Sequence, residues 1–508
     1  MKFMVYDSST RKKQPLLQPD QQELGIYVCG PTVYQRIHIG NGRTFAMFQA
    51  FVRYLRYCGL TVNYVRNITD VNDKIYTAAR DEGIGSEQLA LRGTQWFHED
   101  MDRLGLGRPD KEPLASEAIA EMIALIEELI AGGLAYESKG DVYFRVDRFS
   151  DYGRLSNQQL EQMIEGSRAM SADDTDAGNK ENQLDFALWK ATKASEDTSW
   201  GSPWGKGRPG WHIECSAMAE SLLGREFDVH GGGLDLIFPH HENEVAQSKG
   251  AGRGFARIWM HAGMLEIGKE KMSKSEGNIA TLKEVLDQWP AWVVILFFFG
   301  ASYRSPLEFS DEALEESRKG GMRITEALRR SERYLASVET RDAGDPNFAD
   351  SAQNWEGIHE ALQDDFNTSN ALSELFGLVY DLNTAVNEHA TPQIVRNLRK
   401  AIGEFLELFA LDDLHPQSVD LTDEVQGMLA QREEARRKKD FDESDRLRDV
   451  LQEMGFVVRD TADGADVVPV DETAEGGGGS IDAADDDDDE GEQPGAGVGS
   501  LSGSSDAS

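Results

Sequence analysis

A chain of 508 residues with 40% apolar content can hold three or four domains and bury a sizeable core. Its net charge of −38 is spread unevenly: residues 460–508 carry 15 acidic and no basic side chains, leaving −23 on the first 459 residues. Such a surface repels polyanions over about a Debye length, roughly 8 Å at physiological salt, so a nucleic-acid partner requires screening salt. Three cysteines (Cys29, Cys58, Cys215) exclude a disulfide framework and fit a reducing cytoplasm. The N-terminus lacks the apolar stretch of a signal peptide, and the longest apolar run, Val293 to Phe299, falls far short of the ~20 residues that span a bilayer. That run reads as a buried helix or strand.

Leu24 to Gly30 is a short β-rich run ending in Gly-Pro. A loop with HIGN (His38 to Asn41) follows, then Thr44 to Cys58 with helical spacing, a stop at Gly59, and a strand over Thr61 to Ile68. Strand, phosphate loop, helix and strand open a doubly wound α/β domain. Helical patterns fill Gly85 to Ala131. Val142 to Val146 alternates like an exposed strand, and Glu165 to Gln183 is polar and acidic. The α/β texture resumes with Trp211 to Met218, Phe227 to His230 and Ile258 to Leu265. From about Pro306 the chain is helical, with N-cap residues in Asp365 to Thr368 and an amphipathic stretch over Ala371 to Val386. A glycine-free helical pattern runs through Gln431 to Met454, and Asp471 to Ser508 reads as a disordered tail.

Two motifs carry nucleotide chemistry. Between a strand and a helix, exposed N–H groups and the helix dipole favour phosphate; His38 and Asn41 add donors, and Gly40 lets a nucleotide approach the backbone. KMSKS (Lys271 to Ser275) lies in a glycine-flanked loop, where Lys271 and Lys274 can offset charge on leaving pyrophosphate. HIGN alone reads more readily as an ordinary loop, and KMSKS has a solvated basic loop as its rival; the pair in this order reads as neither.

The pair resembles the signature of class I aminoacyl-tRNA synthetases. With YVCGPTVY (Tyr27 to Tyr34), YVRNITDVNDKI (Tyr64 to Ile75), GRPGWHIECSAM (Gly207 to Met218) and HGGGLDLIFPHHENEVAQS (His230 to Ser248), the chain resembles the cysteinyl-tRNA synthetases over nearly all of residues 20–460. The acidic excess resembles that of proteins from salt-loving organisms. The family resemblance implies a Rossmann-like α/β catalytic domain split by an insertion, then an all-α anticodon-binding region and an acidic tail. Its expected segments are 1–120 and 201–265 for the catalytic halves, 121–200 for the connective insertion and 266–305 for the KMSKS loop and stem contact. A helical tRNA-binding bundle over 306–410, a small anticodon-region domain over 411–460 and the tail over 461–508 complete the chain.

The resemblance also implies one zinc ion on Cys29, Cys215, His240 and Glu244, a donor set of suitable softness. His240 and Glu244 share one face if a helix starts near Pro239, with His241 and Glu242 pointing elsewhere. Cys58 reads as core. The implied reaction activates L-cysteine with ATP·Mg²⁺ and transfers it to tRNA(Cys), the zinc taking the substrate thiol. Softer candidates are Gly30, Thr69 and Trp211 for the amino acid, and Gly232, in a Gly231–Gly233 turn, with Asp235 for adenosine. A cytoplasmic monomer without membrane contact is expected. Asn41 departs from the histidine that many class I members carry there. Two rival readings are a ligase joining cysteine to an amino sugar and a non-catalytic RNA-binding paralogue. The long helical C-terminal region opposes the first, as does a basic cluster (Arg432, Arg436, Arg437, Lys438, Lys439) that reads as a phosphate contact or a solvated face. Intact KMSKS and metal-type residues oppose the second.

Overall fold

The computed structural model describes residues 2–158, 179–267, 270–271, 280–338, 355–416, 423–461 and 464–469. Lys274 and the rest of KMSKS after Lys271, most of the acidic stretch 165–183, and the tail from 471 lie outside the described residues. The chain divides into a unit of residues 1–416 and one of 417–508.

The first unit is built on a four-stranded parallel sheet. Its strands are β1 (Glu23–Val28), β2 (Thr61–Arg66), β3 (Glu226–Gly233) and β4 (Phe255–Ala262), in spatial order β4-β3-β1-β2. Ile26 pairs with Tyr64 on one side and Val229 on the other, so β1 and β3 run side by side at the centre. The chain winds outward from β1 to β2 and, in its second half, from β3 to β4. The crevice beyond the C-terminal ends of β1 and β3 is therefore the topological switch point, where such sheets bind ligands. Both faces are covered, which suits the near-continuous apolar character of the strands.

HIGN is not a loop. It opens helix α1 (Ile39–Tyr57), with His38 as N-cap and its Nδ1 accepting from Asn41 N–H at 3.2 Å. Gly59, at φ +86°, ends the run. Gly231 to Gly233 do not form a turn but complete β3. A Cβ on Gly231 would sit 2.2 Å from the Phe48 ring of α1, so the helix lies against bare backbone there.

Between β2 and β3 the chain forms a five-stranded antiparallel sheet. The spatial order is Ala135–Ser138, Asp141–Phe144, Phe186–Ala191, Gly205–Pro209 and Trp200–Ser202. The strand expected as exposed over Val142 to Val146 spans Asp141–Phe144 and is buried at every residue. Val142 and Phe144 join the core with Leu125 and Leu129, while Tyr143 packs on Tyr136, so neither face is wet. Asp73 pairs with Lys190 at 2.9 Å and with Arg208, tying this sheet to the helix Asp73–Glu82.

Helix α2 (Trp211–Leu223) leads into β3 and α3 (Glu242–Gly250) into β4; α4 (Leu282–Gln288) follows β4. The apolar run forms helix α5 (Ala291–Phe299), entered from Pro290 and buried from Trp292 onward. It packs on α1 and on the long α6 (Asp311–Val338), which continues into a bundle with α7 (Glu356–Gln363), α8 (Thr368–Asn387) and α9 (Pro392–Leu408). Asn367 caps α8 by accepting from Asn370 N–H at 3.1 Å.

In the second unit, the pattern read as one helix is broken into α10 (Asp423–Arg437) and α11 (Phe441–Glu453), with Lys439 at φ +62° between them. A hairpin of β5 (Phe456–Thr461) and β6 (Gly464–Pro469) follows. It takes in residues that the sequence reading gave to the tail. Val425, Leu451 and Val458 form its small core.

Arg43 of α1 is fully buried and binds the fold across the crevice edge. Its Nη1 donates to the carbonyls of Gly263 and Met264 (3.1 and 3.2 Å), its Nη2 to those of Ser302 and Ser305 (3.1 and 3.0 Å). Burial lowers its pKa to about 10, so it stays charged at neutral pH. Arg43→Leu leaves four carbonyls without this donor and is expected to cost about 3–5 kcal/mol in urea denaturation. Arg43→Lys should recover little, because one ammonium lacks the planar fork; full recovery would contradict the clasp.

Candidate active site and metal centre

A cavity of about 320 Å³ opens at the switch point. It is lined by Cys29 and Gly30 from the end of β1, by His38, Gly40 and Asn41 from the start of α1, by Trp211 at the start of α2, and by Asp235 beyond β3. Seven of the residues singled out in the sequence thus share one wall. Thr69 and Gly232 do not line it. Thr69 is buried, donating to Glu214 Oε2 at 3.1 Å and receiving from Asn67 Nδ2 at 3.3 Å. Gly232 faces inward, where a Cβ would lie 2.9 Å from the His241 ring. Lys271 is in a two-residue strand whose backbone pairs with Glu266.

Cys29, Cys215, His240 and Glu244 come together behind this wall, each offering one donor atom, all within 4.8 Å of one another. The Sγ atoms of Cys29 and Cys215 are 3.5 Å apart; Glu244 Oε1 is 3.5 Å from Cys29 Sγ and 3.1 Å from His240 Nε2. His240 Nδ1 meets His212 Nδ1 at 3.0 Å, which leaves Nε2 to face the cluster, and the ring stacks on Trp211 at 4.2 Å. Trp211 thereby touches both the cavity and the cluster.

The sequence reading sent His241 elsewhere, and the structure corrects this. His241 has helical backbone (φ −69°, ψ −32°) and stands three residues before Glu244, an interval that brings side chains together on a helix as the four-residue one does. Its Nε2 lies 3.9 Å from Glu244 Oε1. Glu242 does point away, accepting N–H bonds from Gly153 and Ser156 at 2.9 and 2.7 Å. His212, His230 and His261 were not singled out either. They come from different elements, in the segments WHIEC, VHGGG and WMHAG, and no spacing along the chain singles them out.

Burial governs the electrostatics. It raises the pKa of Cys29, of Cys215 and of the Glu244 carboxyl, the neighbouring acidic groups adding to the effect on the thiols. It lowers those of His230, His240 and His241, and brings His212 and His261 to about 3. All these groups are therefore neutral without a cation. Glu244 Oε2 is buried without a hydrogen-bond partner; His230 Nε2 stands 3.4 Å away but not in bonding geometry. Two thiols, an imidazole and a half-satisfied carboxyl suit a borderline-soft dication, which would displace the acidic protons.

The fold is that of a class I aminoacyl-tRNA synthetase: the model for "tRNA synthetases class I (C) catalytic domain" matches residues 16–319. A DALR domain matches residues 357–411 and a "Cysteinyl-tRNA ligase anticodon binding domain" residues 418–467. A methionyl-tRNA synthetase of Mycobacterium tuberculosis, in complex with methionyl-adenylate, superposes with a TM-score of 0.56 at 16% identity, over 77% of this chain and 90% of that one, a likeness of fold. The cysteine–tRNA ligase of Hahella chejuensis is 43% identical over 472 residues, and that of Halorhodospira halophila 45% over 469, each across 91% of this chain and 98% of the relative. The chain belongs to the cysteine–tRNA ligase family. It is a ligase that takes ATP, cysteine and tRNA as substrates. Among the described residues no helix is long and apolar enough to cross a membrane.

The buried histidines make stability depend on pH. Above about pH 6.5 a ring such as His261 is neutral in folded and unfolded chains alike. Between pH 6.5 and its folded pKa of about 3 only the unfolded chain takes up the proton, so stability is lost as pH falls. The loss approaches about 1.4 kcal/mol per pH unit per histidine. Urea midpoints of His261→Gln should therefore fall less steeply from pH 6.5 to 5 than those of the parent; parallel slopes would contradict a neutral buried ring.

Proposed function

We propose that this ligase selects cysteine through a zinc ion held by Cys29, Cys215, His240 and Glu244. The observation that carries the reading is the convergence of these four donors within 4.8 Å of one another, directly behind the cavity that Cys29 shares with His38 and Asn41. When bound, zinc supplies an affinity for sulfur that a hydroxyl cannot match, separating cysteine from serine, which an ordinary pocket discriminates poorly between near-isosteres.

The remaining assignments concern the chain's own groups. Trp211 walls the amino-acid side of the cavity, with Gly30 presenting backbone and Thr69 setting the floor beneath it. Gly232 supports the adenosine subsite from behind, and Asp235 reaches the ribose. Because His38 Nδ1 accepts from Asn41 N–H, the ring proton resides on Nε2, which donates toward the triphosphate. Asn41 adds an amide donor, and Gly40 lets the phosphates approach. Lys271 and Lys274 neutralise the departing pyrophosphate, whose Mg²⁺ arrives with ATP. A carboxylate oxygen of cysteine attacks the α-phosphorus and pyrophosphate leaves. The terminal ribose 2′-OH of tRNA(Cys) then attacks the activated carbonyl and AMP leaves. No side chain forms a covalent bond; the acceleration comes from positioning and charge stabilisation. The protein acts in the cytoplasm as a monomer, with catalytic halves 1–120 and 201–265 and tRNA-binding regions from 306 to 460.

Metal content measured beside cysteine-dependent and serine-dependent exchange of pyrophosphate into ATP tests the proposal. The parent should hold about one zinc per chain and prefer cysteine strongly, while Cys215→Ser should lose at least ~10–100-fold in metal affinity and most of that preference. A fully stripped parent that still rejects serine would sink the zinc reading. Separately, Lys274→Ala should depress adenylate formation far more than cysteine binding; equal losses would remove the lysine from its role.

A further inference from the structure

We infer that the buried cluster offers a divalent transition-metal ion a second position, on Cys29, His230, His241 and Glu244, sharing the Cys29–Glu244 edge with the first. The inference rests on the zinc reading above and gives a task to His230 and His241, to which that reading assigns none. The donor atoms of this second set also lie within 4.8 Å of one another, and all four residues are buried. Cys29 Sγ is 3.4 Å from His230 Nε2, His230 Nε2 is 3.4 Å from Glu244 Oε2, and His241 Nε2 is 3.9 Å from Glu244 Oε1. Glu244 Oε2 is turned to His230, while Oε1 faces both His240 and His241.

Two features mark the second set as more than packing. Glu244 Oε2 and His241 Nε2 are both buried without a hydrogen-bond partner, a cost that a cation between them would remove. His241 is also aimed. Its Nδ1 meets His261 Nε2 at 2.8 Å, and His261 Nδ1 meets Ser8 Oγ at 2.7 Å, so Nε2 alone is left to ligate. His230 is fixed by stacking on Trp259 at 4.4 Å. An ion can exchange Cys215 and His240 for His230 and His241 while Cys29 and Glu244 stay bound, so that disturbing the first set does not release it. With one sulfur in place of two, the second set is harder and suits zinc or cobalt less selectively.

The test uses the full chain, stripped with a chelator and reloaded with one equivalent of Co²⁺, with ligands counted by X-ray absorption and thiolate-to-cobalt charge transfer. The parent should show two sulfurs. His240→Ala should keep its cobalt but show one sulfur and two imidazoles. Two sulfurs in that variant, or cobalt lost from a chain whose circular dichroism matches the parent, overturns the second position. If His240→Ala does not fold, Cys215→Ala is read by its imidazole count, two supporting the proposal and one refuting it. A parent that shows no sulfur ligation fails at the zinc reading itself, a result distinct from the others.

Discussion

The exclusion of charge from the base of the crevice is the constraint on which the rest of the molecule depends. Two thiols, a carboxyl and five imidazoles meet where β1 and β3 end, all of them in buried residues or buried ring groups. Burial holds every one neutral, because an isolated ion there would cost several kcal/mol. A neutral cluster with unsatisfied donors is poised for a dication, since exchanging protons for the ion replaces a desolvation penalty with direct bonds. The same cluster without a metal would be an expensive way to fill a core, which is why its composition argues for a ligand.

Such a cluster works only if the backbone around it is held fast. Gly30 approaches Asn67 so closely that a Cβ would fall 1.6 Å from the Asn67 carbonyl oxygen, and Gly30 N–H donates to Asn67 Oδ1 at 2.9 Å. That Oδ1 also lies 3.6 Å from Cys215 Sγ, so one amide fixes the end of β1 and touches a candidate ligand from α2. Arg43 performs a comparable service on the other rim, joining the start of α1 to the segment after β4. Positioning of this kind is what a reaction without a covalent protein intermediate requires.

The local part of this arrangement could be read in the sequence. HIGN between a strand and a helix, KMSKS in a glycine-flanked stretch, and the four-residue interval from His240 to Glu244 each carry their meaning within a few residues. The errors were of two kinds. Val142 to Val146 shows an alternation that ordinarily means one wet face, yet the packing covers both, and alternation says nothing about what covers a strand. His241 was sent elsewhere because only the four-residue interval was weighed, whereas its three-residue interval to Glu244 also brings the two side chains together. His212, His230 and His261 were out of reach for a different reason. They meet only because α2, β3 and β4 converge, and no spacing along the chain encodes that convergence.

The interior and the exterior of the protein respond to salt to very different degrees. A cluster that is buried and neutral is barely screened, so its chemistry depends on metal and pH rather than on ionic strength. The body outside it carries a charge of −23 before residue 460, and any approach of a polyanionic tRNA must overcome that field. Exposed cations such as Arg437 and Lys438 are already engaged by Glu434. Salt weakens the general repulsion and those local pairs together. The buried cluster and the charged surface are thus governed by different physical variables, and a change of ionic strength that alters the second can leave the first untouched.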